Sequence, residues 1–290
     1  MTPSTFTFQG RDGLDITAYR WEPVGDPRGI VQLTHGMGEH VRRYDPLADA
    51  LTAVGFVVVG QDHRGHGATA RTAADLGRIG STGWTELVND IHVLTTLLHA
   101  QRPELPLVLF AHSMGSFAAQ QSLLDHSANV AAVALTGTAA LDLIEPAIDF
   151  DKPLELAAFN APFAPARTDF DWLSRDEAQV DVYLADPRCG FGLDADATKA
   201  MFAAAHPAAD PARLAAIRDD LPVYVAVGDH DPVNGGMVLV DTLVDRYRTA
   251  GLTNVTLRVY PGARHEIVNE TNRVEVIADL VAWLDTVVRP

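Results

Sequence analysis

Ser113 stands in the run LFAHSMGSFA, between a β-like stretch and a helix-like one, with Ala111 two places before it and Gly115 two places after. Small neighbours at that spacing are what a sharp strand-to-helix turn needs, because the turn brings backbone against backbone. A hydroxyl at such a corner becomes a nucleophile only when a base takes its proton and a further group orients the base. Two later loops offer those groups. GDHDPV puts Asp231 three residues past the glycine that ends a β-branched run, and GARHEIVNE puts His265 in the loop ahead of the last helix. Asp229 is the rival acid, with a second reading as an acceptor for loop amides. His230 reads as a plain loop histidine. The expected set is Ser113, Asp231 and His265.

Attack on an acyl carbon leaves charge on the carbonyl oxygen, and a preorganised N–H aimed at it is worth about 2.7–4 kcal/mol. THGMGEHVRRY supplies one such donor, since Gly36 and Gly38 let the backbone come close. The amides of Met37 and Met114 are therefore the expected oxyanion pair; the plainer reading of the first stretch is a glycine turn. A metal is not expected. Asp62, His63 and His66 in DHRGHG could tempt one towards a metal site, but a serine, acid and base already account for hydrolysis. Cys189 has no base pattern around it and reads as buried packing.

These residues need a frame. TFTFQ and LDITAYRW, joined by GRDG, read as antiparallel edge strands. Thereafter β-branched runs (GIVQLTHG, FVVVGQD, PLVLFA, VAAVALTG) alternate with helices. YDPLADALTAVG carries Asp45 as expected N-cap, Pro46 at the first helical position and Gly55 as a stop. WTELVNDIHVLTTLLHA sets Leu87, Ile91, Leu94 and Leu98 on one stripe. Alternation of this kind predicts a mostly parallel eight-stranded sheet with helices on both faces. It fails between residues 141 and 220, then resumes with PVYVAVG, a helix through Val240 to Tyr247, NVTLRVYP, and a last helix expected to bury Val274, Ile277, Val281, Leu284 and Val288. The expected division is a core of 1–140 and 221–290 with a helical cap, 141–220, inserted after the sixth strand. Ser113, Asp231 and His265 then all lie beyond carboxyl ends of parallel strands, where open α/β sheets put their sites.

Composition narrows the partners. A chain of 290 residues with net charge −16 and no block of lysine and arginine repels nucleic acid and anionic lipid over most of its surface. No stretch reaches the roughly 20 apolar residues that span a bilayer. The first residues show neither a basic nor an apolar leader segment, and the chain has one cysteine, so a cytoplasmic location is expected. The 141–220 region holds Leu143, Ile144, Phe159 and Phe163 among many apolar residues. These are the candidates for burying an apolar substrate arm.

Taken together, HGMGEHVRRY, DHRGHGAT, AHSMG, GDHDPV and GARHEIVNE resemble the monoacylglycerol lipase and lysophospholipase group of α/β-hydrolases, also described as serine-aminopeptidase-like. The resemblance covers roughly Phe6 to Leu141 and Leu221 to Leu284. It implies the α/β-hydrolase fold, with Ser113 as nucleophile, His265 as base, Asp231 as its partner, the Met37 and Met114 amides as oxyanion hole, and no cofactor. Ala111 departs from the glycine usual at its place. The function so implied is a serine ester hydrolase acting on a small-molecule ester such as a monoacylglycerol. Lysophospholipase, thioesterase and amide or carbamate hydrolase remain open on the same three side chains, as does a catalytically silent binding protein.

Overall fold

A computed structural model describes residues 2–152 and 154–288. Its eight strands are β1 (Ser4–Gln9), β2 (Asp15–Trp21), β3 (Gly29–Thr34), β4 (Phe56–Gln61), β5 (Leu107–His112), β6 (Ala132–Thr136), β7 (Val223–Gly228) and β8 (Val255–Tyr260). They form one sheet in the order β1-β2-β4-β3-β5-β6-β7-β8. The β1–β2 and β2–β4 pairings are antiparallel, and β3 to β8 pair in parallel. The helices are α1 (Asp45–Ala53), α2 (Gly80–Gln101), α3 (Met114–His126), α4 (Glu177–Ala185), α5 (Ala195–Ala203), α6 (Pro211–Leu214), α7 (Val238–Thr249) and α8 (Arg273–Val287).

The central strands bury both faces, and their side chains alternate between two cores. Val57 and Val59 of β4, with Leu107 and Leu109 of β5, face α2, α3 and α7. Phe56, Val58, Val108 and Phe110 face α1 and α8. A strand wetted on neither face must be apolar at every position, which is why these runs are nearly unbroken hydrophobic sequence.

Two local expectations need correction. Asp45 is the first residue of α1, not its cap; Tyr44 precedes the helix without a side-chain bond. The Asp45 carboxylate instead takes Arg42 Nε at 2.9 Å and Trp21 Nε1 at 3.1 Å. Of the five residues expected inward on the last helix, Leu284 and Val288 are buried and Ile277 and Val281 pack half-buried against the core, but Val274 is 80% exposed. The inner face is wider than that stripe, since Val276, Leu280 and Trp283 are buried too, Trp283 stacked on Tyr224 at 5.1 Å.

Between β6 and β7 no strand occurs among the described residues. Short helical turns, α4, α5 and α6 fill that stretch, and Leu156, Trp172, Leu173, Tyr183, Met201 and Phe202 join the core that contains α2 and α3. Residues 171–175 are bonded to the loop after β8: Trp172 O accepts from His265 N at 3.4 Å and Leu173 O from Glu266 N at 2.8 Å. Arg175 Nε donates to Glu270 Oε2 at 2.9 Å. No helix among the described residues is long and apolar enough to cross a membrane.

Candidate active site

β5 ends at His112 and α3 begins at Met114, so Ser113 makes the reversal alone, with φ 51° and ψ −123°. Backbone of that kind in a non-glycine residue stores on the order of 1–3 kcal/mol and persists only where its surroundings over-determine it. Here they do. Ser113 N donates to Thr136 O at 2.9 Å, and Ser113 O accepts from Ser116 N at 2.7 Å and Phe117 N at 3.1 Å. A Cβ on Gly115 would stand 2.5 Å from the carbonyl oxygens of Thr34 and His35, so α3 packs directly on the end of β3. Ala111 differs. It lies inside β5, opposite Thr34 and Leu135 and fully buried, in a strand where a methyl fits. The elbow departs from glycine at the end that tolerates a side chain.

Asp231 follows β7 and His265 follows β8. His265 Nδ1 and Asp231 Oδ2 are 2.9 Å apart, and both side chains are at most 2% exposed. Asp231 Oδ1 accepts from Val233 N at 2.9 Å, which fixes the carboxylate. Gly137, just past β6 with φ 52°, makes room for the ring, since a Cβ there would lie 2.8 Å from His265 Cε1. Burial alone would depress the imidazole. The Asp231 carboxylate, by charge and hydrogen bond, and then Glu266 and Glu39 outweigh it, so His265 titrates above its ordinary value. With Nδ1 engaged, Nε2 is the nitrogen left for a hydroxyl. Ser113 and His265 line one cavity, although among the described residues no hydrogen bond joins them. Such contacts are commonly long before substrate binds.

Asp229 takes other partners, Gly262 N at 2.6 Å and His230 Nδ1 at 2.6 Å. Met37 and Met114 both line the Ser113 cavity. Met114 N heads α3 and so belongs to the free first turn of a helix. In DHRGHG, Asp62 accepts from Val41 N at 3.0 Å and Ala68 N at 2.7 Å, and Arg64 holds Asp12 and Asp90. These are loop-fixing bonds.

The sequence reading missed a buried charge cluster beside Ser113. Glu39 Oε1 accepts from Gly36 N at 2.6 Å and Tyr44 OH at 2.7 Å, and its Oε2 accepts from Arg43 at 2.7 Å. Arg43 also grips Glu266, with Nη2 to Oε2 at 2.7 Å. Burial pushes the Glu39 carboxyl up against the pull of Arg43. Glu266, equally buried, is carried down by the same guanidinium. The available signal was the four-residue spacing of Glu39 and Arg43 together with an acid directly after His265.

The cavity is narrow in this structure, with a volume of about 50 Å³. Its walls are largely apolar, with Ile144, Ile148, Leu154, Phe159 and Phe202 around the Ser113 end of α3. Of the four residues expected to meet an apolar arm, Ile144 and Phe159 line it. Leu143 does not, being 44% exposed, and Phe163 instead lies under the Arg264 guanidinium at 4.3 Å. Short 3-10 turns rotate neighbouring residues to opposite sides, which an apolar list cannot resolve. Among the described residues the lining has no lysine or arginine.

Residues 25–272 match the Hydrolase_4 family model, described as serine aminopeptidase, S33. A monoacylglycerol lipase of Mycolicibacterium smegmatis is 32% identical over 98% of this chain and 97% of its own length. A human monoglyceride lipase is 31% identical over 66% of this chain and 65% of its own. Among solved structures, a thermostable carboxyl esterase from Bacillus coagulans in complex with glycerol superposes with a TM-score of 0.87 at 29% identity, covering 99% of both chains.

Proposed function

This chain belongs to the serine aminopeptidase (S33) family of α/β-hydrolases, and from that premise we propose how it works and on what. It is a carboxylic ester hydrolase of the monoacylglycerol lipase type. Ser113 Oγ attacks the ester carbonyl while its proton passes to His265 Nε2, and Asp231 holds the imidazolium at Nδ1. The developing oxyanion takes the amides of Met37 and Met114. As the tetrahedral species collapses, His265 gives its proton to the departing glycerol oxygen. A water then enters: His265 takes its proton, its oxygen attacks the acyl carbon, and collapse returns the proton to Ser113 Oγ with release of the fatty acid.

The observation that carries this reading is the strained Ser113 sharing a cavity with a buried Asp231–His265 pair. Residues 141–220 form the cap of the core 1–140 and 221–290, and its apolar wall takes the acyl arm. A neutral headgroup follows from the electrostatics. Arg43, the guanidinium next to the site, is already held by Glu39 and Glu266, and among the described residues the cavity lining has no lysine or arginine for a phosphate. A cytoplasmic location goes with the proposal on the strength of one unpaired cysteine. A fluorophosphonate should label Ser113 stoichiometrically, and purified protein should release glycerol from monoacylglycerols faster than it cleaves lysophospholipids of equal chain length. An unlabelled Ser113 would refute the mechanism; preference for the lysophospholipid would refute the headgroup assignment alone.

A further inference from the structure

The loop that carries Met37 runs on to His40, which meets the turn after α4. There His40 Nε2 lies 2.9 Å from Asp186 Oδ2, and Cys189 stands on the same turn, its N bonded to Asp186 O at 3.0 Å. One ligand-type atom from each of His40, Asp186 and Cys189 falls within 4.8 Å of the others. His40 is 3% exposed, and Nε2 is its nitrogen on the Asp186 side. The hydrolytic chemistry uses none of the three residues.

We propose that His40, Asp186 and Cys189 bind a zinc-class divalent cation that pins the turn after α4 to the loop after β3. The donor set, one imidazole, one carboxylate and one thiolate, is the mixture that borderline-soft tetrahedral ions take, with water in the fourth place. Bond lengths of about 2.0–2.3 Å put two tetrahedral N and O ligands about 3.3 Å apart, and S about 3.6 Å from either. The His40–Asp186 spacing is within a few tenths of an ångström of that, and the thiol, now within 4.8 Å of both, has to draw closer. Two forces oppose the ion. Arg188 holds Asp186 through Nε at 3.3 Å and Nη2 at 3.2 Å. The half-buried Cys189 thiol must also give up its proton to bind the ion.

Co2+ and Zn2+ themselves are the probes. One equivalent of Co2+ should give a thiolate-to-cobalt charge-transfer band in the near ultraviolet, which Zn2+ bleaches, and either ion should raise the melting temperature. Cys189→Ser, close in size, should abolish the band. His40→Ala should weaken binding by at least about tenfold, and Arg188→Ala, which frees Asp186, should tighten it. Far-UV circular dichroism of the metal-free variants checks that they fold. The site is overturned if no band forms at about 100 μM ion, if binding survives intact in Cys189→Ser, or if His40→Ala leaves it unchanged.

Discussion

The loop after β3 and the stretch 141–165 face each other across one cavity and are held in opposite ways. In the loop, directional bonds dominate: Gly36 N and Tyr44 OH to Glu39, Arg43 to Glu39 and Glu266, Val41 N to Asp62, and Tyr183 OH to Gly38 O at 2.9 Å. The other stretch mostly closes turns on itself, Leu143 N to Ala140 O and Ile148 N to Glu145 O, and is tied to α7 by the Asp142–Arg246 pair and to Trp172 N by Asn160 Oδ1 at 2.9 Å. Its inward contacts are Ile144, Ile148, Leu154 and Phe159. Hydrogen bonds fix position to a fraction of an ångström, whereas apolar contact is indifferent to direction. Proton transfer needs the first property, and acyl chains of differing length need the second.

That contrast can be broken at four points, in order of falling effect. Ser113→Ala should lower kcat by about 10⁶-fold, the loss seen when an activated serine is removed; steady-state turnover of 4-nitrophenyl esters measures it. Asp231→Asn should lower kcat by about 10⁴-fold. In the parent enzyme His265 is held above its ordinary value, so kcat/KM should fall as pH drops through a limb lying above about 6.5. Without the Asp231 carboxylate, only Glu266 and Glu39 oppose burial, and the limb of the residual activity should move to lower pH.

Glu39→Gln should lower kcat by about 10²-fold, comparable to losing one oxyanion donor, with KM little changed. Its pH limb should move down by less than that of Asp231→Asn, because Glu39 contributes after Asp231 and Glu266 to raising His265. An unmoved limb would reduce Glu39 to a structural prop. The smallest effect belongs to the apolar side. Ile148→Phe should shorten the longest acyl chain accepted, by about fourfold in kcat/KM for each methylene excluded, and leave acetate and butyrate esters alone. Equal slowing of the short esters would show that this wall shapes the chemistry too, and the contrast would fail.

Much of this was legible before any coordinates. Strand-to-helix alternation carried the sheet, because buried parallel strands must be apolar throughout, and the loops after β5, β7 and β8 followed from it. The failures share a cause. On α8 the periodic stripe failed at Val274, which is exposed, and did not show that Trp283 packs inward against Tyr224. Asp45 was drawn from capping to Arg42 and Trp21, partners invisible in a linear pattern. The Glu39–Arg43–Glu266 cluster joins residues 223 apart in sequence. Ala111 departs from the usual glycine at a place inside β5 where a methyl has room that Gly115 lacks, a difference that the motif alone does not show.

The backbone bonds from His265 and Glu266 to Trp172 and Leu173 have a consequence for traffic. Any swing that lifted residues 171–175 would carry the imidazole away from the hydroxyl and halt turnover. Fatty acid should therefore leave past the opposite bank, residues 141–150, which among the described residues are paired with His206 and with Arg246 of α7 and not with residues 171–175. Hydrogen exchange during turnover would be fastest on that bank, and an inhibitor that cross-linked it shut would trap product while leaving the relay intact.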